Sequence, residues 1–219
     1  MKTLVIIPAY QVAPYLKNVI DEAKKYLEDI LVVDDGSSDG SGELARDCGV
    51  IVITHETNRG KGAALKTGFD YAIRHDYEAV ITLDGDGQHD PKYIPGFFKT
   101  HDKTRAGLII GSRVHDKADM SFPRRCSNFL TSRILSYLLH TRIEDSQSGL
   151  RLITVPLLKR VRLKSDRYQL ETELIIRAIQ NGFKIRFTPI KVVYGKNFPS
   201  QINHMADTFR WIKMVLEEI

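Results

Sequence analysis

Four short apolar runs, TLVIIP at 3–8, ILVVDD at 30–35, VIVITH at 50–55 and AVITLD at 79–84, constrain the fold more than any other feature of the 219-residue chain. Segments with helical apolar spacing separate them, over 14–27, near 39–47 and over 61–75. Short, β-branched runs that are apolar on both faces suit strands covered by helices on either side, and a strand-helix-strand alternation closes into right-handed parallel units. The expected class is therefore α/β, one Rossmann-like domain with a mostly parallel central sheet flanked by helices. The pattern continues with a helix near 91–103, a strand GLIIGSR at 107–113, a polar and mobile loop at 114–123, and an amphipathic stretch at 125–140. SGLRLI (148–153) and KIRFTPIKVVY (184–194) read as further strands, and 170–181 and 203–218 as helices. No repeat or linker divides the chain, so a single domain over 1–219 is expected.

A hydrophobic content of 42% with 27% charged residues is that of an ordinary globular protein large enough for one sizeable core. Cys48 and Cys126 form no C-x-x-C pair, which a reducing compartment allows. The opening MKTLVIIPAY runs into Pro8 without a cleavage signal and reads as the first strand. No segment approaches the roughly twenty apolar residues needed to cross a bilayer, so the expected location is cytoplasmic, with any membrane contact peripheral. A net charge of +5 suits anionic partners such as nucleotides, phosphates or a membrane surface. No nucleic-acid partner is expected.

Ligands of open α/β sheets bind beyond the carboxyl ends of the strands. At that edge the sequence places Pro8, Ala9 and Tyr10, then DDGSSDGS, then NRGKGAALKTG, then DGDGQHDP. Gly60 and Gly62 precede a helix and would offer backbone amides beside Lys61 and Arg59 to a phosphate; equally, they would serve a helix start with surface cations. In the fourth turn Gly85 and Gly87 allow a tight path on which Asp84, Asp86 and Gln88 converge. Two carboxylates and an amide oxygen are hard ligands suited to Mg²⁺ or Mn²⁺, although an Asp-Gly turn with solvated carboxylates has the same residues. Asp90-Pro91 reads as an N-cap followed by a first-turn proline.

Taken in order, IPAY, VVDDGSSD, NRGKGAALKTG, TLDGDGQHDP, GSR and DSQSGLRLI resemble the family 2 glycosyltransferases. The likeness is strongest to the branch of dolichyl-phosphate mannose and glucose synthases and bacterial polyprenyl-phosphate glycosyltransferases. YQLETELIIRAIQNGFKI and PSQINHMADTFRWIKMV extend it over nearly the whole chain. The resemblance implies a GT-A fold, a UDP- or GDP-sugar donor, a Mg²⁺ or Mn²⁺ ion and inversion at the anomeric carbon. It implies a nucleotide-sugar half at about 1–112 and an acceptor half at about 113–219. In its terms Asp84, Asp86 and Gln88 hold the metal, and Pro8, Tyr10, Asp35, Lys61, Asp84 and Gly85 meet the nucleotide-sugar. Asp86, Asp145 and Arg113 are the implied catalytic residues. Arg113, Arg125 and Lys196 are the implied contacts to an acceptor phosphate, with Arg124 and Arg133 near by.

Gln11 and Val12 stand where many relatives carry Asn-Glu, which removes one carboxylate from the nucleotide side. Two acceptors are compatible with the resemblance. A polyprenyl phosphate of the dolichyl or undecaprenyl type is already anionic and needs cations to hold it. A glycan hydroxyl needs a general base, for which Asp145 is the candidate. A non-catalytic nucleotide-binding relative is a third reading. Phe129, Leu130 and Leu135 on the basic 125–140 stretch, with Phe122 just before it, would rest on an anionic membrane, or would belong to a core helix with solvated arginines. Glu173 reads as a solvated helical residue or a contact near the active site, His89 as a phosphate contact or surface residue, and Trp211 and Phe209 as core or, failing that, as anchors at a membrane interface. An EF-hand loop beginning at Asp84 is excluded, because His89 and Pro95 stand at its sixth and twelfth positions.

Overall fold

The computed structural model describes residues 1–113, 122–192 and 204–218. Seven strands form one sheet in the order β3-β2-β1-β4-β6-β5-β7. The first half follows the apolar runs: β1 (Thr3–Ala9), β2 (Ile30–Asp34), β3 (Ile51–Thr54) and β4 (Ala79–Thr82) are mutually parallel. Helices α1 (Ala13–Lys24), α2 (Ser41–Asp47) and α3 (Lys61–Arg74) connect them. After a 3₁₀ turn at Pro91–Tyr93 come α4 (Ile94–Thr104), β5 (Leu108–Ser112), α5 (Phe122–Leu138), β6 (Arg151–Thr154), α6 (Val155–Arg160), α7 (Gln169–Gln180), β7 (Ile185–Pro189) and α8 (His204–Glu218).

Both faces of the sheet are covered. Leu4 and Ile6 of β1 point into one apolar cluster with Ala64, Phe69, Leu174 and Ile175, and Val5 and Ile7 into the other with Leu16, Ile20, Ile94 and Phe97. Each such side chain contributes about 1.5–3 kcal/mol on burial. The two-sided burial explains why β1, β2 and β4 read as unbroken apolar runs rather than alternating ones.

β6 departs from the parallel rule, running antiparallel to both β4 and β5, with Arg151 opposite Thr82 on one side and Ile110 on the other. Its direction has a functional consequence. The start of an antiparallel strand lies at the carboxyl edge of its parallel neighbours, so the loop 143–150 enters that edge between the ends of β4 and β5. Strand β7 stops at Pro189, shorter than the expected run to 194, and a single bridge then joins Val192 to His89. The Asp90 carboxylate accepts from the Lys92 amide at 2.9 Å, the expected cap at the start of the 3₁₀ turn. Of the loop expected at 114–123, residues 122 and 123 already belong to α5, and 114–121 lie outside the described residues.

Over its described side chains, α5 turns polar residues inward and several apolar ones outward. Toward the protein it presents Asn128, Ser132 and Leu135, all buried, and Ser132 and Thr131 meet the Ser146 hydroxyl at 3.2 and 3.1 Å. Outward it presents Phe129, Leu130 and Tyr137, which are 66%, 60% and 79% exposed. Of the two readings open for Leu135, membrane-facing or core, the core one holds, because it shares the turn of the helix that carries the inward serines. Trp211 packs against the core and its indole N–H donates to Thr172 at 3.1 Å, whereas Phe209 points outward.

Candidate active site

The turn after β2 braces the start of α1. The Asp39 carboxylate accepts from the Ala13 amide at 2.9 Å and from the Ser41 amide and hydroxyl, while the Ser37 and Ser41 hydroxyls accept from the Gln11 and Val12 amides. Pro8 and Tyr10 are half-buried and Gly85 is buried. A Cβ at Gly85 would approach Pro8 O to 3.3 Å and Val12 Cγ2 to 3.2 Å, so the acidic turn lies directly against the Pro8–Val12 segment.

Asp35 is buried. It accepts from His55 Nδ1 at 2.6 Å and from the Arg59 and Gly60 amides at 3.0 and 2.7 Å. An ionised carboxylate has about four lone-pair positions, so at most one remains for a nucleoside, and its visible work is to hold the glycine turn. That turn needs glycine: Gly60 has φ +101°, and a Cβ there would strike the Asp166 carbonyl at 2.5 Å.

Lys61, the first residue of α3, reaches across the edge to Asp84 Oδ1 at 2.6 Å and Glu171 Oε1 at 2.9 Å. Burial penalises the Asp84 carboxylate, but the Lys61 charge and the His89 contact outweigh this and hold it below the usual carboxylate range. The Lys61 ammonium, against its own burial, is held above its ordinary value by Asp84 and Glu171. Asp86 goes the other way, pushed up by burial and by the negative charge of Asp84. One of its oxygens accepts from the Gln88 amide at 2.9 Å. The turn therefore sets a carboxylate paired with Lys61, that of Asp84, next to a second one, Asp86, whose charge it opposes. Such a donor set fits a hard divalent cation.

His89, expected as a phosphate contact or a surface residue, is buried. Its Nδ1 lies 3.5 Å from Asp84 Oδ2 without hydrogen-bond alignment, and neither ring nitrogen has a hydrogen-bond partner among the described residues. Glu173 is also buried rather than solvated, because it caps the turn before α7 by accepting from the Lys164 and Ser165 amides at 2.7 and 2.8 Å.

Across the edge, at the end of β5, Arg113 grips Asp145. Oδ2 accepts from Arg113 Nε at 2.7 Å and from its backbone amide at 3.2 Å; Oδ1 accepts from Arg113 Nη2 at 2.8 Å and from the Gln147 amide at 3.1 Å. Asp145 is 0% exposed, and the Arg113 guanidinium keeps its pKa down despite that burial. All four acceptor positions are occupied. Asp145 thus holds Arg113 through both carboxylate oxygens. Arg125 lies in the first turn of α5, but its side chain and that of Arg124 fall outside the described residues, as does Lys196 altogether.

Three residues were not legible as site residues in the sequence. Glu171 supplies the second partner of Lys61 from 110 positions away. Gly149 faces Asp84 so closely that a Cβ would come within 2.7 Å of the carboxylate carbon. Arg151 is a buried guanidinium at the start of β6. The GLR of SGLRLI was the only signal for the last two, and it resembled the rest of a strand.

A model of glycosyl transferase family 2 matches residues 4–167. The chain belongs to that family. This family 2 glycosyltransferase is 34% identical to polyprenol monophosphomannose synthase of Mycolicibacterium smegmatis, over 86% of this chain and 76% of the relative. It is 30% identical to a UDP-N-acetylglucosamine–dolichyl-phosphate N-acetylglucosaminyltransferase of Methanococcus voltae, over 86% and 84%. Among solved structures, glucosyl-3-phosphoglycerate synthase of Mycobacterium tuberculosis with Mn²⁺, UDP and phosphoglyceric acid superposes with a TM-score of 0.78 at 18% identity, covering 99% of this chain and 78% of that one. The glycosyltransferase thus has the GT-A fold, as its seven-stranded, mostly parallel sheet indicates. No described helix is long and apolar enough to cross a membrane.

Proposed function

We propose that the chain transfers a sugar, with inversion, from a UDP- or GDP-sugar to the phosphate of a polyprenyl phosphate. The observation that carries this reading is the saturated Arg113–Asp145 pair. A hydroxyl acceptor would need a base, and the carboxylate at that place has no lone pair left to serve as one. A phosphate acceptor needs only a positioned cation, which the braced guanidinium supplies. The names of the two curated relatives, both acting on a polyprenyl or dolichyl phosphate, support the same class.

Pro8, Tyr10 and Gly85 would form the wall against the nucleoside, with Asp35 holding the Arg59–Gly60 amides toward the diphosphate. Asp84, Asp86 and Gln88 would hold the Mg²⁺ or Mn²⁺. That ion, when bound, neutralises charge on the departing diphosphate. Lys61 adds a fixed positive charge beside the same leaving group. An acceptor phosphate oxygen held by Arg113 forms the new bond to the anomeric carbon as the bond to the diphosphate breaks, and the electron pair leaves with the nucleotide. Attack from the face opposite the leaving group inverts that carbon.

The outward face of α5 gives such an acceptor a place to arrive. Phe129, Leu130, Ile134 and Tyr137 form one exposed arc together with Arg133, and the helix carries arginines but no acidic residue. An apolar face flanked by cations suits the interface of an anionic membrane, which supports peripheral attachment.

The test is product formation from a panel of UDP- and GDP-sugars with Mn²⁺ and detergent-solubilised undecaprenyl phosphate, against undecaprenol in a parallel series. Transfer to the phosphate and not to the alcohol is expected. Equal transfer to the alcohol would replace this reading with a hydroxyl acceptor.

A further inference from the structure

Arg151 is 2% exposed, yet no carboxylate lies within ion-pair distance among the described residues. Each of its three nitrogens donates to a backbone carbonyl. Nε donates to Ser148 O at 2.7 Å, Nη2 to Ser146 O at 3.0 Å and Nη1 to Glu171 O at 2.5 Å. A buried guanidinium is costly, and a chain that needed only to fill space would place an aliphatic side chain here. What distinguishes this position is what those carbonyls belong to.

Ser146 and Ser148 lie in the loop that carries Asp145, which grips Arg113, and Gly149, which abuts Asp84. Glu171, in the first turn of α7, carries the carboxylate that holds Lys61 on Asp84. The antiparallel register sets Arg151 opposite Thr82, two residues before Asp84, and opposite Ile110, three before Arg113. Thr82 adds a direct tie, its hydroxyl donating to Gly149 O at 2.7 Å. One planar group thus fixes the loop behind the acceptor cation and the helix behind the donor-side lysine.

We propose that Arg151 is a positioning residue for sugar transfer, setting the distance between Arg113 and the Lys61–Asp84 pair. It touches neither substrate. The proposal rests on the reading above, in which donor and acceptor phosphates meet those two groups. Displacement of one reacting group by about 1 Å costs roughly a hundredfold in rate. Lysine keeps the charge but lacks the planar fork and can span at most part of the three-carbonyl set.

The experiment compares wild type, Arg151→Lys, Arg151→Met and Ile153→Val, a core truncation on the same strand. Each is assayed for thermal stability, Mn²⁺-UDP binding by calorimetry, and steady-state transfer to undecaprenyl phosphate. Arg151→Lys is expected to keep Mn²⁺-UDP affinity within about threefold while kcat falls at least about tenfold. Ile153→Val is expected to lower the melting temperature with kcat unchanged. A kcat in Arg151→Lys within twofold of wild type overturns the proposal, as does a loss that follows melting temperature equally in Arg151→Lys and Ile153→Val. If Arg151→Met fails to fold, the lysine variant and the valine control still decide. A wild-type chain that transfers no sugar to the lipid phosphate removes the functional reading, and this proposal with it.

Discussion

Gly149→Ala should separate the integrity of the fold from the integrity of the acidic turn. Gly149 has no positive φ, so its backbone accepts alanine. Its added methyl would stand 2.7 Å from the Asp84 Cγ and Oδ1, and nearer still to Oδ2. Carbon atoms prefer about 3.5–4.0 Å, so the carboxylate must retreat by roughly 1 Å. Overpacking of this kind costs about 1–3 kcal/mol. Asp84 sits at the open edge of the sheet with its side chain 20% exposed, and can yield outward, which puts the cost near the lower end. About 1 kcal/mol corresponds to roughly 2–4 °C in melting temperature for a chain of this size. The same shift stretches the 2.6 Å contact with Lys61 and moves one of the two carboxylates offered to a cation. Mn²⁺-UDP affinity, measured by calorimetry, is expected to fall at least about tenfold, a change of ~1.4 kcal/mol. Unchanged affinity alongside a lowered melting temperature would refute the placement of Asp84 at the diphosphate. A drop of more than about 10 °C would refute the claim that the carboxylate can yield.

Further outcomes follow from the same geometry. Asp145→Asn removes the Asp145 charge from the largely buried Arg113 and should cost about 3 kcal/mol near neutrality, read by urea denaturation. Because the Asp145 pKa is depressed in the fold, its contribution is complete above the unfolded value of about 3.9 and is lost as pH falls through the lower folded value. The difference between wild type and Asp145→Asn should therefore shrink below about pH 4, and a difference constant down to pH 2 would contradict the pairing. Leu130→Glu with Tyr137→Glu, both on the outward face of α5, should abolish sedimentation with vesicles rich in phosphatidylglycerol while leaving Mn²⁺-UDP binding intact. Retained sedimentation would place the membrane contact elsewhere.

The parallel half of the fold was legible because its information is local. β-branched runs, a proline after Asp90 and glycines at the turns each act within a few residues, and they placed β1 to β4 and the acidic turn correctly. The direction of β6 was not, since a six-residue segment such as SGLRLI carries no mark of which neighbour it will pair with. Periodicity also located the α5 stripe without indicating which side faces the core; that is decided by Ser146, whose bonds to Ser132 and Thr131 draw the polar side inward. The supporting residues were hidden for a related reason. Lys61 finds Glu171 110 positions away, and Arg151 bonds only carbonyls, which leave no trace in side-chain composition. Glu173 and His89 look like surface residues in sequence and are buried by contacts that only the assembled edge provides.

The central claim is that the turn after β4 holds a divalent cation together with a nucleoside diphosphate. Crystals grown with Mn²⁺ and UDP, with data collected at the manganese absorption edge, test it most directly. An anomalous peak about 2.0–2.3 Å from oxygens of Asp84, Asp86 and Gln88, bridging to the diphosphate, is the expected result. A diphosphate bound at the sheet edge with the manganese peak elsewhere, or with none, would contradict it.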